Sequence, residues 1–137
     1  YVSISKPYSH AINFLKSKNI KTDKIFFIDC LTRSLGVDIP QASNCTFIES
    51  PAHLTQLGIA LHNYFTSSKE KKRFLYIDSI STLNIHNSLE AVLKFIHHIT
   101  GKMRIFGFNG LLLSLHEETD KRLIGQLSQF CDKVIHL

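Results

Sequence analysis

Phe74-Leu75-Tyr76-Ile77-Asp78-Ser79-Ile80 places four apolar side chains ahead of a carboxylate and a hydroxyl, and then turns apolar again. An ionised Asp at the edge of a core must be solvated, paired or given a cation, because an uncompensated buried charge is costly. A short run that is apolar throughout, rather than alternating, predicts a strand covered on both faces, as in a parallel sheet.

Further strand-like and helix-like runs alternate around it. Tyr1-Val2-Ser3-Ile4-Ser5 is β-rich, and Tyr8, Ala11, Ile12 and Leu15 share one helical face after Pro7. Lys24–Asp29 is a second apolar run, and Cys45–Ile48 a short strand inside the looser segment 30–51. Leu54, Leu57, Leu61 and Phe65 carry the next helix, which leads into the strand Arg73–Asp78. Leu89, Val92, Leu93, Ile96 and Ile99 form the stripe of another, with Asn87 and Glu90 placed as a capping box and Gly101 to end it. Gly110–Leu115 reads as a buried strand, Leu123–Phe130 as a helix, and Lys133–Leu137 as a closing strand. The expected fold class is α/β: a three-layer, mostly parallel sheet flanked by helices, with right-handed crossovers, in a single domain over residues 1–137.

Composition narrows the function classes. Among 137 residues, 44% are hydrophobic and 20% charged, a globular balance. No run approaches the ~20 apolar residues of a membrane span, and no secretory leader opens the chain. Cys30, Cys45 and Cys131 are too scattered for a disulfide framework, so a cytoplasmic location and no membrane partner are expected. The net charge is +5, and Lys69, Lys71, Lys72 and Arg73 cluster before the 74–80 run. Such a cluster is an anion or nucleic-acid patch or a solvated turn that discourages edge pairing; no aromatic interleaves it as a single-strand platform requires.

In a parallel sheet, ligands gather at the carboxyl ends of strands. Polar groups stand there at Ser5 and Lys6, at Asp29, at Asp78 and Ser79, and at Ser114 with His116, Glu117 and Glu118 following. Asp29 and Asp78 can together serve Mg²⁺, often through water, if their strands are neighbours; alternatively each accepts backbone N–H groups of its own loop. No G-x-x-x-x-G-K-[ST] or strand-following G-x-G-x-x-G occurs, and Gly107–Gly110 is a turn. The adjacent His97 and His98 point about 100° apart on a helix and cannot chelate together. Neither Ser79 nor Ser114 lies in a nucleophile elbow. Lys6 and Lys133 are misplaced for a receiver domain.

Two segments together carry a resemblance. LLLSLHEE followed by LIGQLSQFCDKVIHL resembles the end of a RecA-like core of the KaiC kind, with Asp132–Leu137 as its final acid and strand, and FLYIDS resembles a Walker B strand with Asp78 as the acid and Ser79 as the hydroxyl. YVSISKPYSHAINFLKSKNI and KIFFIDCLTRS look like the strand–helix unit and strand between the P-loop helix and Walker B. The resemblance implies a P-loop strand beside the strand ending at Ser114, between it and another neighbour. Its absence leaves a slot for an upstream segment or another chain, and the chain opens on Tyr1 already in a strand-like run, so an N-terminally incomplete domain is expected. KaiC-like ATPases usually carry Glu where Ser5-Lys6-Pro7 stands here, so the water-polarising base is missing. The resemblance therefore implies a non-catalytic interaction or regulatory module with a protein partner or self-association. ATP and Mg²⁺ enter only if a P-loop lies upstream; a basic nucleic-acid binder is the third reading. Asp78, Ser79, Ser114 and Asp29 are the candidate nucleotide or Mg²⁺ residues.

Overall fold

The computed structural model describes residues 1–115 and 121–137, so the expectations on His116, Glu117 and Glu118 lie outside the described residues. Five strands form one sheet: β1 (Val2–Ser3), β2 (Phe27–Asp29), β3 (Cys45–Phe47), β4 (Phe74–Asp78) and β5 (Asn109–Leu112). Their order is β3-β2-β1-β4-β5 and every pairing is parallel, as the unbroken apolar runs predict. The helices are α1 (Tyr8–Ser17), α2 (Leu54–Ser67), α3 (Ile80–His86), α4 (Leu89–Phe106) and α5 (Lys121–Leu127), giving the expected α/β class.

Side chains alternate between the two faces of a strand. Val2, Ile4, Ile28, Leu75 and Ile77 point to one face and pack with Leu57, Leu61 and Phe65 of α2, with Val92, Ile96, Ile99 and Met103 of α4, and with Leu123 and Leu127 of α5. Gly110 lets α4 come this close: a Cβ there would collide with Met103 Cε and lie 2.9 Å from the Leu75 carbonyl. The other face carries Tyr1, Phe27, Phe47, Tyr76 and Asp78. Here Tyr8 at the start of α1 meets Phe27 and Phe47 edge-on, with ring centroids 5.1 and 6.0 Å apart. Tyr1 fills the middle, 5.5 Å from Phe27 and 5.0 Å from Tyr76.

Coverage of that second face stops at β1. Over β4 and β5, Phe74 is 62% exposed and Leu111 48% exposed, with no helix above them among the described residues. β5, expected as a buried strand, is instead a sheet edge. It pairs with β4 through Asn109 and Leu113, so Gly110 and Leu112 turn their N–H and C=O groups outward. Lys133–Leu137 does not join the sheet as a closing strand: it runs without regular structure, with Val134 44% and Ile135 64% exposed. The expected slot therefore has one wall, the outer edge of β5.

Helix boundaries also differ from those expected. Ser88 caps α4, accepting the Ala91 amide, while Asn87 binds the carbonyls of Pro51 and Leu83. α4 runs through Gly101 and ends at Gly107, whose φ of +69° is the left-handed conformation that glycine adopts without cost.

Candidate functional site

The carboxyl ends of β1, β2 and β4 lie side by side, with Ser3 in register with Asp29 on one flank and Asp78 on the other. β1 thus separates the two acids by two strand spacings, about 10 Å. One Mg²⁺ with ligands at about 2.1 Å cannot be held directly by both.

Asp29 is fully buried, and four donors occupy it. Oδ1 accepts the amides of Leu31 and Thr32, both at 2.7 Å. Oδ2 accepts the Thr32 hydroxyl at 2.6 Å and the Tyr8 amide at 2.5 Å. A carboxylate offers about four lone-pair sites, so Asp29 is filled by the chain itself. It ties the 3-10 turn Thr32–Leu35 to the first turn of α1, whose own cap residue, Pro7, makes no side-chain cap bond.

Asp78 is differently placed. It is 6% exposed, accepts Tyr1 Oη at 2.9 Å and Ser5 Oγ at 3.2 Å, and has Lys6 Nζ 3.6 Å from Oδ2. These partners answer the cost of a carboxylate at the end of an apolar strand: a half-exposed ammonium and two hydroxyls supply the compensation. Burial and the bond to Asp78 hold the Tyr1 phenol above its ordinary range, so it stays a donor. The Asp78–Ser79 peptide is cis.

The hydroxyls expected beside Asp78 serve α3. Ser79 is its N-cap, with Oγ accepting the Thr82 amide at 3.3 Å and lying 2.8 Å from Thr82 Oγ1. Ser114 Oγ lies 3.0 Å from Ser81 Oγ, and the Leu115 amide donates to the same Ser81 oxygen at 2.6 Å. Ser81 and Tyr1, not singled out in the sequence, are thus the residues that organise this end of the sheet. A hydroxyl two positions after the Ser79 cap, on the inner turn of α3, was the available signal for Ser81; for Tyr1 none existed.

The basic cluster sits at the opposite, amino end of β4. Lys69, Lys71 and Lys72 are exposed, but Arg73 turns inward. Its guanidinium donates to the carbonyls of Phe106 and Ser68 and stacks 4.8 Å from the Phe108 ring centroid, locking the end of α4 to the start of β4. Burial pushes the Cys30 and Cys45 thiols up to about 12, which keeps them protonated and unreactive at neutral pH.

Asp29 and Asp78 do not fit the direct holding of one shared Mg²⁺. Asp29 is saturated, Asp78 is engaged by Lys6, and no group of three or more His, Cys, Asp or Glu that can hold a metal occurs among the described residues. No helix of the described residues is long and apolar enough to cross a membrane. A family model described as a family of unknown function (DUF7504) matches residues 11–137. No curated protein and no solved structure matches the chain.

Proposed function

The chain belongs to DUF7504, and for this member of a family of unknown function we propose a RecA/KaiC-like domain that serves as a non-catalytic interaction or regulatory module. The observation that carries the reading is the unfinished side of the sheet. β5 offers the outward N–H and C=O groups of Gly110 and Leu112, and beside them Phe74 and Leu111 stand exposed on a half-face that α1 does not reach. One strand laid along β5 with one helix over Phe74, Tyr76 and Leu111 completes both deficits at once, which is how βαβ sheets bury their faces. Asp78 then works as a structural acid, holding Tyr1, Ser5 and Lys6 together at the carboxyl end of β1 and β4.

Calorimetry of this chain with ATP and Mg²⁺ tests the non-catalytic part. No heat of binding is expected, and a micromolar Kd overturns it. Sedimentation of the chain from low to high micromolar concentration, alone and with Leu111→Lys, tests the module. Self-association that Leu111→Lys abolishes supports it; a monomer of unchanged behaviour in both, with no exchange protection gained at Gly110 and Leu112, removes self-association as the mode.

A second reading, an ATP-binding protein whose P-loop lies upstream, is supported by the same place in the sheet, since the missing strand–helix unit is the one that a P-loop precursor supplies. A longer chain that binds Mg-ATP, and loses it with Asp78→Asn, favours this reading over the first. The nucleic-acid reading rests on Lys69, Lys71 and Lys72 alone, because Arg73 is occupied. Passage through heparin at physiological salt excludes it.

A further inference from the structure

On the helical layer, away from the bare half-face, α2 and α4 leave an open groove of 460 Å³ between them. Its apolar floor is made by Leu54 and Gly58 of α2 and Ala91 and Phe95 of α4, with Ile59 on the rim, 57% exposed. The lining recurs along α2 at residues 54, 58 and 62 and along α4 at 91, 95, 98 and 102. At ~1.5 Å per residue this gives a trough of about 12–16 Å, two to three helical turns.

Two features point to an occupant. Every ionisable side chain lining the groove is basic or a histidine: His62 from α2, and Lys94, His98 and Lys102 from α4. The nearest acid paired with them is Glu90, 2.6 Å from Lys94 and itself exposed. The second feature is the floor itself: Gly58 brings no side chain to it, and a Cβ there would lie 3.7 Å from Phe95 Cε2, so a larger side chain at 58 would occupy the space between the two helices.

We infer that the α2–α4 groove docks a short amphipathic helix of a partner protein, with its apolar stripe on Gly58 and Phe95 and acidic side chains towards Lys94 and Lys102. Helix-in-groove recognition reads a stripe at i, i+3, i+4 and i+7, which matches the length of the trough. The charge row sets the sign of the flanks and the salt dependence of association. This inference stands on a different surface from β5 and holds whether or not the RecA-like reading does.

The probe is a phage-displayed library of helical peptides with randomised apolar and flanking positions, selected against the 137-residue chain. The expected outcome is enrichment of sequences with an i, i+3, i+4, i+7 apolar stripe flanked by Asp and Glu. Synthetic versions should lose at least ten-fold affinity for Gly58→Leu, which fills the floor. They should lose a similar factor for Lys94→Glu combined with Lys102→Glu, and bind Glu90→Gln two- to three-fold more tightly. Thermal melts of each variant confirm folding, and Gly58→Ala serves as a folded control with partial filling. No enrichment, enrichment of basic peptides, or equal affinity for folded Gly58→Leu overturns the proposal.

Discussion

Replacing Asp29 by Asn changes few atoms but removes most of what the residue does. Four donors converge on its carboxylate: the amides of Tyr8, Leu31 and Thr32 and the Thr32 hydroxyl. An asparagine has one carbonyl oxygen with two lone pairs and an NH₂ that only donates. At best two donors stay satisfied, and two are left facing an N–H in a fully buried position. Hydrogen bonds to a charged acceptor are worth about 1.5–3 kcal/mol each, so the substitution should cost about 3–6 kcal/mol. Against a total of about 5–15 kcal/mol for a domain, that is a large share, and it lowers Tm by on the order of 10 °C or more. Asp78→Asn is the matched control. Its partners are two hydroxyls, which can accept as well as donate and so can turn to an amide, and the half-exposed Lys6, so its cost should be the smaller, about 1–2 kcal/mol. Urea denaturation of the wild type and both variants, followed by circular dichroism, reads the difference. An Asp29→Asn cost below about 1 kcal/mol, or a larger cost for Asp78→Asn, refutes the assignment of Asp29 to the fold.

Three further outcomes follow from the geometry. Gly101→Ala should stabilise the chain by about 0.5–1 kcal/mol, because Gly101 lies inside α4 with no atom within 4 Å of a built Cβ, whereas Gly107→Ala should destabilise it, as its φ is +69°; opposite signs by urea melts check the helix boundary. Arg73→Ala should cost about 1–3 kcal/mol through lost bonds to Phe106 and Ser68 and the lost stack on Phe108, while Lys71→Ala and Lys72→Ala should stay within about 0.5 kcal/mol. Stability should fall as pH rises from about 9 towards 12, since the unfolded chain releases thiol protons near 9 that Cys30 and Cys45 retain up to about 12; urea midpoints at pH 7, 9 and 10.5 should decline, and less steeply in Cys30→Ala.

The parallel sheet was legible because runs such as Phe74–Ile77 are apolar at every position, and α2 because Leu57, Leu61 and Phe65 fall on one face. α3 was not, because its cap, Ser79, sits inside an apolar run and its seven residues are too few for periodicity to emerge. Asn87 and Ser88 are both good cap residues; the Pro51 carbonyl, 36 residues away in sequence, draws Asn87 aside and leaves the cap to Ser88. Gly110–Leu115 reads as buried by composition, but exposure depends on what lies beyond the strand, which local sequence does not encode. In the candidate site, Thr32 three residues after Asp29 hints at a local bond, whereas the contact of Tyr1 with Asp78 spans 77 positions and leaves no pattern. Arg73 was grouped with its lysine neighbours because its true partner, Phe106, is 33 residues on.

The shortest strand occupies the most consequential place. Val2–Ser3 lies at the centre of β3-β2-β1-β4-β5, so among the described residues the two outer pairs, β2 with β3 and β4 with β5, are joined in the strand ladder only through it. Removing Lys133–Leu137, which runs without regular structure, leaves the five strands and the buried Leu123 and Leu127 in place, but deleting residues 1–5 divides the described sheet into two ribbons with no strand pairing between them. Any redesign of this scaffold therefore has to treat Val2–Ser3 as the keel.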